Sequence, residues 1–309
     1  MMRCGLAFLF LVLLGSPSAA AQDCRLQMVA QTPLQKARLF NHTSTPVTIN
    51  GRTFRFIVDT GSPGSMVTVQ TADTLKLKRT TLSDKNTVKM FGGDEAKETA
   101  HIHQPAIGGV HMPDGDFSVM RTLRLNFGGE QFDGLIGADI LSRYDADFDF
   151  ANGSLTLYEP HPCDGREIRT AMKSQPYEKQ AFTGEMGRII VPITLDGKEM
   201  IAILDTGASD SSLGSKIGMA KLALSPQSPG MQREGPDSDP DPVYAYTFKK
   251  MTLGGVTLSD TRFRFIPFSK AHWFFAGLLG MPELRRLHIY IAYREHMLYF
   301  RPAEVTATQ

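Results

Sequence analysis

Asn50-Gly51-Arg52-Thr53-Phe54-Arg55-Phe56-Ile57-Val58-Asp59-Thr60-Gly61-Ser62 is answered, 146 residues on, by Asp196-Gly197-Lys198-Glu199-Met200-Ile201-Ala202-Ile203-Leu204-Asp205-Thr206-Gly207-Ala208. Each stretch is a polar-Gly turn, then an apolar strand, then Asp-Thr-Gly. Internal repetition decides architecture before any single residue is interpreted. The rest of the chain extends the match. Asp133-Gly134-Leu135-Ile136-Gly137-Ala138-Asp139-Ile140-Leu141 parallels Ala276-Gly277-Leu278-Leu279-Gly280-Met281-Pro282-Glu283-Leu284. A hairpin pattern closes each unit: Ala146 to Phe150, Asn152-Gly153 and Leu155 to Tyr158 in the first, His288 to Tyr293 and Met297 to Phe300 in the second. Three landmarks in one order at nearly one spacing indicate a duplication.

The segments between landmarks are short, β-branched or aromatic, and bounded by turn residues. Val47–Ile49, Phe54–Val58, Ile189–Leu195 and Arg262–Ile266 all read as strands. Helical signals are few: 137–144, 280–287 and 69–77. An all-β chain of two similar units is therefore expected, the first over 22–160 and the second over 188–309. Between them, the polar, proline-bearing stretch 161–187 reads as a linker.

Composition narrows the function. The 309 residues are 42% hydrophobic, enough to bury a core, and 33 Lys and Arg balance 32 Asp and Glu. Such balance leaves no electrostatic footprint for nucleic acid and no polybasic patch for anionic lipid. Residues 1–21 read as a signal peptide, with a basic start, an apolar core from Cys4 to Gly15, and Ala19 and Ala21 at a small-residue cleavage site. The apolar core is too short to span a bilayer, which needs about 20 residues. The expected mature chain is exported, periplasmic or extracellular, without a membrane span, and monomeric. Cleavage leaves Cys24 and Cys163, either a disulfide or two free thiols.

A single Asp-Thr-Gly reads most simply as an Asp capping a turn. Two copies permit more. If the units pack about a two-fold axis, Asp59 and Asp205 meet near it. Two ionised carboxylates about 3 Å apart repel by roughly 5 kcal/mol at an effective dielectric near 20, so the pair holds one proton between them. The ionised member can take a proton from water while the protonated member donates to a carbonyl oxygen. Peptide bonds could then be cleaved with no metal and no cofactor.

The pattern of apolar residues, Asp-Thr-Gly-Ser/Ala, then apolar-apolar-Gly and a short helix some 75 residues later, resembles the retropepsin-like aspartic peptidases. Over nearly all of the mature chain it resembles an exported bacterial form with two units fused, as in the pepsin arrangement. The resemblance implies a bilobed pseudo-two-fold fold of two retropepsin-like β-barrel units and an endopeptidase acting on peptides or unfolded proteins. Asp59 and Asp205 would be its catalytic dyad. Thr60 and Thr206 would cross-link the loops, while Gly61 and Gly207 let backbone amides hold the carboxylates coplanar. Gly137 and Gly280 would let strand and helix pack behind each loop. Ser62 could bond the outer oxygen of Asp59, which Ala208 cannot do for Asp205. Pro63-Gly64 is unusual for the family. The flap would be a hairpin tipped by Phe91, Gly92 and Gly93, whereas the proline-rich stretch 227–242 reads as a mobile loop, leaving one working flap.

Other features read as structural. His101, His103 and His111 suggest a metal site only until one looks for Cys or acidic partners to complete a ligand set, so they read as a solvated strand edge. Trp273-Phe274-Phe275 reads as core, or as a side-chain pocket for substrate. Asp237 to Asp241 lacks the glycine and terminal glutamate of a calcium loop. Two alternatives stand beside the intrachain peptidase. One is a non-catalytic peptide or partner binder on the same fold; the other is a homodimer forming its dyads between chains.

Overall fold

The computed structural model describes residues 25–38, 41–89, 95–120, 130–160, 167–267 and 277–304. The expected signal peptide, Cys24 and Cys163, the flap tip at Phe91, Gly92 and Gly93, and the Trp273 cluster lie outside them.

Strands dominate, arranged in three principal sheets. One belongs to each unit and the third is shared. In the first unit, Thr43–Ile49 and Arg52–Val58 form an antiparallel hairpin through the left-handed turn Asn50-Gly51. Arg52–Val58 then pairs on its other edge, in parallel, with Gly134–Ile136. Phe56, Ile57 and Val58 are consecutively buried because this strand is covered on both faces, which explains the unbroken apolar run. The second unit repeats the arrangement. Ile190–Leu195 and Lys198–Leu204 form the hairpin, turning at Asp196-Gly197, and Lys198–Leu204 pairs in parallel with Gly277–Leu279.

Both units pass a further strand beside this core: Met66–Thr68, parallel to Gly115–Met120, and Ser211–Gly214, parallel to Val256–Ile266. A short helix follows each, Val69–Thr74 and Ser215–Leu222. Gly134 and Gly277 sit where strands cross closely. A Cβ on Gly134 would lie 2.4 Å from the Met66 carbonyl oxygen, and one on Gly277 2.6 Å from Leu213 Cδ2. The landmark glycines mark close approach.

The closing hairpins, Asp145–Asp149 with Ser154–Tyr158 and Leu287–Ala292 with Met297–Pro302, join the units. Asp145–Asp149 and Leu287–Ala292 pair antiparallel at the centre of a six-stranded sheet. Its edges are Met28–Pro33 and Glu178–Ala181. The stretch expected as a linker thus supplies an edge strand and a short helix, Ile168–Ala171. The helix packs with Tyr290 and Tyr299 and the strand pairs with Met297–Pro302, long-range contacts that local pattern does not reveal. Polar contacts cross the seam in buried surroundings. His288 Nε2 lies 2.6 Å from Asp147 Oδ1, and the Tyr290 hydroxyl donates to Asp145 Oδ2 at 3.1 Å.

The stretch expected as a mobile loop is instead a hairpin. Gln232–Glu234 pairs with the start of Val243–Leu253. Arg233 donates to the carbonyls of Pro236, Asp237 and Asp239, so one guanidinium replaces the donors the prolines lack. Arg264 and Arg262 bind Glu234 and tie the hairpin to the sheet. In the first unit Val88–Lys89 pairs with Glu95–Ala96 at the corresponding place. No described helix is long and apolar enough to cross a membrane.

Candidate active site

Asp59 and Asp205 each stand one residue past a core strand, and the sheet ladder extends to hold them. The Asp59 amide donates to the Ile136 carbonyl at 2.9 Å, and the Asp205 amide to Leu279 at 3.0 Å. The next residue turns inward. Thr60 and Thr206 are fully buried and form a closed set of four hydrogen bonds. The Thr60 hydroxyl donates to the Leu204 carbonyl (2.7 Å) and accepts from the Thr206 amide (3.1 Å). In return the Thr206 hydroxyl donates to Val58 (2.7 Å) and accepts from the Thr60 amide (3.1 Å). Threonine suits the position because its hydroxyl is both donor and acceptor.

This cross-link brings the two acidic loops face to face. A Cβ on Gly61 would fall 2.3 Å from Asp205 Cγ, and one on Gly207 would fall 2.3 Å from Asp59 Cγ. Each bare glycine therefore leaves room for the opposite unit's carboxylate. The two aspartates also hydrogen-bond one another. All six residues come from one chain, so the pairing needs no second copy.

The halves are not equivalent. Asp59 Oδ1 accepts from the amides of both Gly61 and Ser62, each at 2.9 Å. Asp205 Oδ1 accepts from the Gly207 amide at 2.9 Å, and the Ala208 amide also bonds the Asp205 carboxyl. The Ser62 hydroxyl does not serve the outer oxygen of Asp59 as expected; it turns away to the Gly64 carbonyl at 2.8 Å. The Pro63-Gly64 departure presents that carbonyl. Burial pushes Asp59 above the ordinary carboxylate range, opposed by the Ser62 and Gly61 amides. Burial, and then the charge of Asp59, push Asp205 well above it. A pair so coupled titrates as a unit.

Behind each loop lies a support that the motif reading missed. Ser65 and Ser211 each stand six residues after their aspartate. Their hydroxyls accept from the amides of Gly137 (3.0 Å) and Gly280 (2.8 Å). Ser65 donates to Asp139 Oδ1 at 2.7 Å, and Ser211 donates to Glu283. Burial pushes Glu283 up to about 7. Gly137 and Gly280 open the helices Ala138–Leu141 and Met281–Leu284, and a Cβ on either would strike the loop backbone, at Gly64 or Asp210. A serine at the same offset in both repeats was the available signal.

Elsewhere, His101 Nδ1 lies 2.8 Å from Asp116 and His103 Nδ1 2.6 Å from Asp114. Asp114 and Asp116 stand three and five residues after His111, so the expectation of histidines without acidic partners is corrected. Among the described residues no group of three or more His, Cys, Asp or Glu is placed to hold a metal ion. A cavity of about 570 Å³ opens between Ser142, Phe182, Arg188 and Tyr293, but neither Asp59 nor Asp205 lines it.

No curated protein sequence matches the chain. A family model described as aspartyl protease matches residues 45–140 and 191–282, so each match carries one Asp-Thr-Gly loop and its landmark glycine. Those two stretches make up more than half of the chain, and the protein belongs to the aspartyl protease family.

Proposed function

We propose that the protein is an exported aspartic endopeptidase whose single site is the Asp59–Asp205 pair. The observation that carries this reading is the mutual packing of Gly61 on the Asp205 carboxylate and Gly207 on the Asp59 carboxylate. A turn-capping aspartate would need no such partner, and a peptide binder would need neither acid. Export rests on the signal-like residues 1–21.

The chemistry follows from one proton shared by two carboxyls. A water held between them loses a proton to the ionised carboxylate as its oxygen attacks the peptide carbonyl carbon. The protonated carboxyl gives its proton to the carbonyl oxygen, producing a neutral geminal diol. Collapse returns a diol proton to one carboxylate and delivers the other carboxyl's proton to the departing amine. The pair again holds one proton. Each carboxyl acts as acid in one step and base in the other, which the coupled titration permits. The interlocked threonines keep both groups at fixed separation throughout, as preorganised catalysis requires.

The test is hydrolysis of an unfolded protein in ¹⁸O-labelled water by the mature chain, read by mass spectrometry. One labelled oxygen at each new C-terminus, with no cleavage by Asp59→Asn or Asp205→Asn, is expected. No cleavage by the wild-type chain at any pH would overturn the reading.

A further inference from the structure

Each catalytic loop is also gripped from the opposite unit, and the two grips differ in charge. Arg188, just before the first strand of the second unit, donates from Nε to the Gly61 carbonyl at 3.4 Å. Its counterpart 146 residues earlier is His42, whose buried ring interacts electrostatically with the backbone of Gly207. Gly207 in turn stands 146 residues after Gly61. All four positions obey the offset that relates the aspartates, so the contact belongs to the pseudo-two-fold.

The side chains break that symmetry. Arginine is permanently charged. His42 is buried, and desolvation draws its pKa down, favouring the neutral ring. A fixed cation therefore bonds the Asp59 loop at Gly61, while the equivalent position beside Gly207 holds a ring that burial keeps neutral. The cations on that side are Arg285, which faces His42, and Arg264, 3.5 Å from Asp210. The titratable groups facing Asp59 are Asp205, Arg188 and the buried Tyr293 hydroxyl. Those facing His42 are Asp210, Arg285 and Glu130. Arg188 is the cation that bears on Asp59.

Resting on the peptidase reading above, we propose that Arg188 is a positioning residue of the dyad. By holding the Gly61 carbonyl and setting its charge behind the first loop, it makes Asp59 the member that is ionised and takes the proton from water. Asp205 is left as the member that carries the proton. The duplicated fold alone would make the two acids interchangeable; the Arg188/His42 difference assigns their roles.

The experiment compares pH profiles of kcat/KM for wild type, Arg188→Lys and Arg188→Gln, alongside carboxyl ¹³C NMR titration of aspartate-labelled protein. Resonances are assigned with Asp59→Asn and Asp205→Asn. Thermal unfolding at each pH identifies any variant that has not folded. Arg188→Gln should lose on the order of tenfold more kcat/KM on the acid side than on the alkaline side, because an unlike charge beside a carboxylate favours its ionised form. Arg188→Lys should restore most of the acid side. In wild type the Asp59 resonance should titrate below that of Asp205. A uniform loss across pH in Arg188→Gln, or Asp205 titrating first, overturns the proposal. If the wild-type chain hydrolyses nothing, the peptidase reading fails while the carboxyl titration still decides this one.

Discussion

Replacing Thr60 by valine removes two of the four hydrogen bonds that lock the acidic loops together, while preserving side-chain shape. The hydroxyl donates to Leu204 at 2.7 Å and accepts from the Thr206 amide at 3.1 Å. Thr60 is fully buried, so water cannot reach either abandoned group. Leaving a buried donor or acceptor unpaired costs roughly 1–3 kcal/mol. Two of them predict a loss of roughly 2–6 kcal/mol, a large share of the about 5–15 kcal/mol that holds a typical fold. The assay is urea unfolding, read as a lower midpoint at unchanged slope. Activity should fall further than stability, because a displacement of about 1 Å at the reacting groups can cost about 100-fold. Thr60→Ser keeps the hydroxyl and should retain most of both. A valine variant within about 0.5 kcal/mol of wild type, with unchanged kcat/KM, would refute the interlock argument.

Three further outcomes follow. Gly61→Ala should abolish peptide cleavage in a protein that still folds, since its Cβ would fall 2.3 Å from Asp205 Cγ; an active, folded alanine variant would contradict the packing. His288→Ala should destabilise the seam by roughly 3–5 kcal/mol in thermal or urea unfolding, because it strands Asp147 in a buried site. Asp145 is 1% exposed and burial pushes its carboxyl from 3.8 up to about 7. The folded state then binds more protons than the unfolded chain between those values, so stability falls as pH rises through that window. Asp145→Asn should remove up to about 4 kcal/mol of that fall, seen as a gain over wild type at pH above about 7 and little change near 4. Glu283, pushed up in the same range, leaves some of the slope in place.

What the sequence displayed were features fixed by local chain geometry. The apolar runs ending at Asp59 and Asp205 are visible because strands covered on both faces need no polar residues. The turns at Asn50-Gly51 and Asp196-Gly197 and the close-approach glycines are visible because few residues tolerate those conformations or distances. Long-range contacts were hidden. Arg233 organises the proline-rich hairpin through carbonyls that any residue would offer, so composition alone suggested a loop. Glu178–Ala181 is a strand because Met297–Pro302 offers an edge, not because its residues favour one. Ser62 matched a motif position, yet the Gly64 carbonyl took its hydroxyl. Ser65, Ser211, His42 and Arg188 were accessible only by reading the repeat offset residue by residue beyond the conspicuous tripeptides.

The most direct measurement is kcat/KM on one peptide for Asp59→Asn, Asp205→Asn and the double variant, with folding checked for each. Two groups working as one unit are non-additive when removed. Each single loss should therefore match the double loss to within a few-fold, near the limit of detection. Losses that multiply, or substantial turnover left by either asparagine alone, would show that the two acids do not share one water.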